Sequence, residues 1–195
     1  MLTLDRPYTS DGQGIDWGFN LAYTYSKAYQ NGTDNPGEGI AFGAFDYLSS
    51  ADFYKFPASN NERHRLVMSG TVGLPYSFQV SSVVTLGSGV PFTIFDGSGP
   101  VFRVRWNEGR PAKEDFIVPD AWAYRSVDAR LEWEAPPIAE RVRLGLVAEG
   151  FNVFDHDNFS CFDNFKPAPP AVSTVGKPNC EYNTRRYQVG ARVSF

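Results

Sequence analysis

Few residues in this chain have the types and spacing that chemistry requires. Asp155, His156, Asp157 and Asp163 are its densest group of metal-ligating types. Set against the EF-hand calcium loop, they put Phe159 where an oxygen ligand belongs and Ser160 where a glycine belongs, so no metal is assigned. The two histidines, His64 and His156, lie far apart in sequence, and neither has a Ser or Cys nucleophile motif beside it. Cys161 and Cys180 are too few for a Cys/His metal cluster. Asn31-Gly32-Thr33 and Asn158-Phe159-Ser160 match the glycosylation acceptor triplet and are read as chance matches. The aromatic stretch FGAFDYLSSADFYKFP could stack on a sugar ring or pack a loop onto its neighbours, and packing is the preferred reading. The expectation is a protein with no catalytic residues, no cofactor and no metal.

The elements that carry these residues alternate strictly in polarity. WGFNLAYTYSKA places Trp17, Phe19, Leu21, Tyr23 and Tyr25 on one face; RHRLVMSGTVGL places Leu66, Met68, Val72 and Leu74 on one face. SFQVSSVVTLGS, RSVDARLEWE, RVRLGLVAEGFNVF and RRYQVGARVSF repeat the pattern, with Phe78, Val80, Leu131, Trp133, Leu144, Leu146, Val189 and Val193 on the apolar side. Met1 to Tyr8 adds part of a seventh strand. The other face carries Arg65, Asp128, Arg130, Glu132, Arg143, Glu149 and Arg192 near strand centres, which a dry core would reject and a water-filled lumen would accept. Aromatic residues gather at strand ends, as interfacial girdles do, while strand middles hold Leu, Val, Ala and Gly.

Joins alternate between short ones and long loops at about 28–62, 89–122 and 155–184. Leu74 and Phe78 must face the same way, which predicts a three-residue turn, Pro75-Tyr76-Ser77. Around APPIAE, parity allows Glu134 opposite Arg141, which places Glu132 across from Arg143 as a lumenal ion pair. A mean hydropathy of −0.33 looks soluble, yet transmembrane strands put only alternate residues in lipid and their loops are polar. The net charge of −4 argues against nucleic-acid binding. The opening MLTLDRPYTSDGQG lacks the basic-then-apolar pattern of a secretory leader.

TYSKA after an aromatic strand, SADFYKFPASNNERHRLVMSGTVGLPYSFQVSSVVTLGSGVPFTI, SVDARLEWE, LGLVAEGFNVFDHDNFSCFDNF and the closing strand resemble the C-terminal part of TonB-dependent receptors. They are most similar to the Oar-like group, whose members carry a carboxypeptidase-regulatory-like domain. The resemblance implies an all-β fold: an antiparallel meander of about six to seven transmembrane strands, the C-terminal segment of a large barrel in the outer membrane of a Gram-negative bacterium. It also implies that the outer-membrane assembly machinery reads the terminal strand, with Tyr187 and the final Phe195 in that signal. Its partners would be outer-membrane lipid, that machinery, and the remainder of the receptor, with TonB engaged only through the missing N-terminal region.

Barrels of such transporters have about twenty-two strands, and six or seven cannot close in lipid, so residues 1–195 are expected to be one segment of a longer receptor lacking plug and N-terminal strands. Cys161 and Cys180 share the third long loop, on the side assigned to the exterior. A chain that crosses an oxidising periplasm is expected to join them in a disulfide. The other reading is a soluble extracellular β-sandwich that binds carbohydrate through loop aromatics.

Overall fold

A computed structural model describes residues 1–9, 15–31, 55–100, 103–110, 123–136 and 142–194. The strands are β1 (Leu2–Thr9), β2 (Asp16–Tyr25), β3 (Tyr29–Asn31), β4 (Lys55–Pro57), β5 (His64–Leu74), β6 (Phe78–Gly87) and β7 (Phe92–Asp96). They continue as β8 (Arg103–Gly109), β9 (Tyr124–Glu134), β10 (Arg143–Phe151), β11 (Asn158–Phe162), β12 (Phe165–Lys166), β13 (Pro178–Tyr182) and β14 (Arg186–Ser194).

Seven of these form one antiparallel meander, in the order β1-β2-β5-β6-β9-β10-β14. Each is the strand that alternation predicts, because a period of two is the strongest local signal a half-buried strand can carry. The joins fall on two ends. Short connections link β1 to β2, β5 to β6 and β9 to β10; residues 26–63, 88–123 and 152–185 form three long connections at the opposite, loop end. The β5–β6 turn is the three-residue Pro75–Ser77, with Leu74 paired to Phe78 as parity requires. Tyr76 and Ser77 take the left-handed conformation there, at φ 65° and 61°.

Cross-strand registers assemble one apolar row after another. Trp17 faces Val72, Val72 faces Val80, Val80 faces Leu131, and Leu131 faces Ala148, which faces Val189. Phe78 pairs with Trp133 in the row nearest the turns, their ring centroids 6.2 Å apart. On this face Ser82 interrupts the middle of the rows, its hydroxyl donating to the Asp128 carbonyl at 2.9 Å, while Arg6 opposite Phe19, His64 opposite Tyr25 and Arg125 opposite Leu86 lie toward the strand ends. The face stays open to its surroundings: Leu131 is 43 %, Leu146 45 % and Val189 87 % exposed. Among the described residues the one buried hydrophobic side chain is Phe56, and it sits in a long connection rather than under the sheet.

The opposite face is an ionic ladder, and its register corrects the expected pair. Glu132 lies opposite Val147, Glu134 opposite Gly145, and Arg143 opposite Ser194, so Glu132 and Arg143 share a face without meeting. The hairpin is slipped by four residues from the expected alignment, which parity alone cannot distinguish. The slip sets Arg130 opposite Glu149. Arg130 then reaches Glu132 at 2.9 Å and Glu149 at 3.3 Å, while Arg192 reaches Glu132 at 3.2 Å and Glu134 at 2.8 Å. Two arginines shared among three carboxylates replace one cross-strand pair.

Among the described residues the meander does not close, since β1 and β14 each pair on one side only. Among the described residues three small sheets lie within the long connections: β3 with β4, β7 with β8 and β12, and β11 with β13. These strands were not expected. They are short and lack the sustained alternation that marks the meander.

Candidate functional site

Among the described residues the buried side chains are mostly polar, and they gather at the loop end. After β10 the chain peels away from β14 but keeps following β9. Gly150 pairs with Ala129, the Val153 amide donates to the Val127 carbonyl at 2.9 Å, and Asn158 completes the track. Asn158 Oδ1 accepts the Arg125 amide at 2.8 Å, and Asn158 Nδ2 donates to the Arg125 carbonyl at 2.7 Å. A primary amide offers one donor and one acceptor side by side, as a backbone does, so Asn158 acts as one more rung of the sheet.

Asn152, nearly as deeply buried, ties the other strand of the loop. Its backbone amide donates to Asp128 Oδ1 at 2.8 Å, and its side-chain nitrogen donates to the carbonyls of His156 (2.9 Å) and Asn183 (2.8 Å). Asn183 donates in turn to Ser126 Oγ at 3.0 Å. This polar knot fixes the start of the third connection against β9. Burial holds the His156 imidazole below its usual pKa, and the Arg125 charge adds to the effect.

A cavity of about 610 Å³ opens beside the knot, lined among others by Glu62, Arg65, Phe92, Tyr124, Phe159 and Phe162. That volume falls in the range of small-molecule sites, roughly 300–1,000 Å³. Its aromatic wall comes from two different connections. Phe92 opens β7 and stacks on Phe162 at the end of β11, with centroids 5.2 Å apart and planes 14° from parallel. Gly109 supports the far side, because a Cβ there would sit 2.5 Å from Phe92 Cε2. β12 pairs in parallel with β7 and brings Lys166 to 3.5 Å from Asp96. Asp96 also accepts from the Ser98 hydroxyl at 2.5 Å, the Ser98 amide at 3.1 Å and Arg105 at 2.9 Å. The Ser98 hydrogen bonds, helped by the two cations, lower the Asp96 carboxyl to about 2.

The charged end of the cavity is set by Glu62 and Arg65. Arg65 Nη1 donates to Glu62 Oε2 at 3.0 Å, and the Gly89 amide donates to Oε1 at 3.3 Å. The Glu62 carboxylate is largely covered, whereas the Arg65 side chain is about half exposed.

Other residues singled out in the sequence lie as follows. Cys161 and Cys180 are cross-strand partners on β11 and β13, with Cα atoms 5.2 Å apart, and the structure joins them in a disulfide. Tyr187 lies in β14 opposite Gly150, exposed on the apolar face near the loop end; Phe195 lies outside the described residues. Asp155 pairs with Arg185 at 3.0 Å, and Asp163 accepts from Thr174 Oγ1 and from the Phe165 amide. Those bonds lower the Asp163 pKa, the Thr174 hydroxyl most. Among the described residues no group of three ligating side chains converges on a metal position. Of the aromatic stretch, residues 42–54 lie outside the described residues, and Phe56 is buried. Asn31 belongs to β3, and the rest of its triplet also lies outside. Sequence reasoning missed Phe92 and Phe162 as partners, since no local pattern connects two separate loops. No protein-family model matches the chain, and neither a curated protein nor a solved structure matches it significantly.

Proposed function

We propose that the chain is a C-terminal barrel segment of a TonB-dependent receptor in the outer membrane of a Gram-negative bacterium. In this reading residues 26–63, 88–123 and 152–185 are extracellular loops serving TonB-energised ligand uptake. The observation that carries it is the uncovered apolar face of the meander, backed by a polar, ion-paired face. In water such a face costs free energy over its whole area. In a bilayer it is the solvated side, and the ionic ladder faces an aqueous lumen.

Strand dimensions support the same solvent. Six of the seven strands are 9 to 11 residues long, the length of a transmembrane strand at about 9–11 residues. Trp17 and Tyr25 bracket the apolar part of β2. At about 3.3 Å per residue they lie roughly 26 Å apart along the strand. With a tilt near 40° and the reach of the rings, that fits an apolar band of about 25 Å. The free edges of β1 and β14 would pair with the remainder of the receptor, because lipid tolerates no open sheet edge. The assembly machinery would read β14, and TonB would act through N-terminal parts of the receptor.

Detergent dependence tests the proposal. The purified chain should need detergent or a nanodisc to stay monodisperse. A monodisperse species in plain buffer would favour the soluble sandwich and end the membrane reading.

A further inference from the structure

We infer that the loop-end cavity is a binding site for a small planar aromatic molecule bearing one carboxylate. The inference deepens the receptor reading, since ligand capture is what that reading asks of the loops, but the cavity is built by loop elements and its occupancy can be measured whatever solvent surrounds the sheet.

The aromatic half of the argument is geometric. Phe92, Phe159, Phe162 and Tyr124 line one cavity, and the Phe92–Phe162 stack is held from behind by Gly109 and from the side by the β7–β12 pairing. A rigid aromatic wall loses little conformational entropy when a ring packs against it, which favours planar ligands over flexible ones. The polar half rests on accessibility. Among the described residues that line this cavity, Glu62 and Arg65 are the one carboxylate and the one guanidinium. Glu62 is mostly covered, with both oxygens engaged by Arg65 and the Gly89 amide. Arg65 is the open member of the pair, and its bond to Glu62 uses Nη1, one corner of a five-donor fork. A ligand carboxylate can therefore share that guanidinium, whereas a ligand ammonium would have to reach a shielded carboxylate.

The test uses 6-fluoro-2-naphthoate, followed by fluorine NMR relaxation on the whole receptor that contains the chain, reconstituted in nanodiscs, with 6-fluoro-2-naphthylmethylamine and a fluorinated cyclohexanecarboxylate as controls. Empty nanodiscs provide the partition background. The naphthoate should bind saturably, and both controls should bind about tenfold more weakly or less, the scale of losing one aromatic or one charged contact. Phe92→Ala should weaken the naphthoate about tenfold. Gly109→Ala, which touches no ligand but displaces the Phe92 ring, should do the same. Arg65→Gln should abolish the preference for the acid over the amine. Sheet content by circular dichroism confirms that each variant is folded. Equal binding of acid and amine, unchanged binding by Phe92→Ala and Gly109→Ala, or no signal above empty nanodiscs would each overturn the inference. A chain that proves soluble without detergent would overturn the receptor reading and leave this titration to be read in buffer.

Discussion

Replacing Asn158 by alanine removes a rung of the sheet that a side chain supplies. Asn158 is 0 % exposed, and its amide satisfies both the N–H and the C=O of Arg125, at 2.8 and 2.7 Å. Alanine leaves both backbone groups without that partner. An unsatisfied buried group costs about 1–3 kcal/mol, so losing the partner of two lies between roughly 2 and 6 kcal/mol, with partial access of water favouring the lower half. Asn158→Asp should be no better, because it retains the acceptor for the Arg125 amide but sets a carboxylate oxygen against the Arg125 carbonyl. The effect is local, since β9 keeps its register with β6 through Leu86 and Arg125. Hydrogen exchange read at residues 124–126 is the appropriate assay. A local loss near 3 kcal/mol corresponds to roughly a hundredfold faster exchange of the Arg125 amide. Exchange within threefold of the unmodified protein would refute the assignment of Asn158 as a structural rung.

Three further outcomes follow from the geometry. Gly18→Ala should loosen β1, because a Cβ there would sit 2.5 Å from the Tyr8 amide nitrogen and 2.6 Å from its Cα, at the β1 bulge; a cost of about 1–3 kcal/mol is expected, seen as faster exchange confined to residues 2–9. Thiol labelling of the denatured, unreduced protein should find no free cysteine, and replacing both cysteines by serine should cost about 3 kcal/mol for a sequence separation of 19 residues. Asp96 is held near 2, below its ordinary value of 3.8, so its contribution to loop stability is present above pH 4 and is lost as pH falls through 2; Asp96→Asn should remove that acid-side loosening of β7, β8 and β12, as read by exchange in those strands.

The meander was legible because alternation is a local property. Trp17 to Tyr25 and Leu66 to Leu74 declare their faces without reference to any neighbour, and the odd-length turn at Pro75–Ser77 follows from parity between them. The β9–β10 register was not legible, because parity admits any even slip and the deciding term is collective: Arg130 and Arg192 each bridge two carboxylates. The polar knot was hidden for a different reason. Asn152 and Asn158 act by imitating backbone, and only the folded path of residues 152–158 along β9 reveals what they imitate. The cavity was hidden most completely, since Phe92 and Phe162 meet across two long connections and neither stretch carries a periodic signal.

Spin labels placed one at a time along residues 143–150 of β10 distinguish a membrane-spanning strand from a strand surrounded by water. Leu144, Leu146 and Ala148 share one face of β10 and Arg143, Gly145, Val147 and Glu149 the other; if the meander spans the outer membrane as proposed, the first set faces lipid and the second water. Labels at 144, 146 and 148 should be accessible to oxygen and shielded from a water-soluble nickel complex, and labels at 143, 145, 147 and 149 should show the reverse. Free access of the nickel complex to positions 144, 146 and 148, or no alternation along the strand, would contradict the membrane reading.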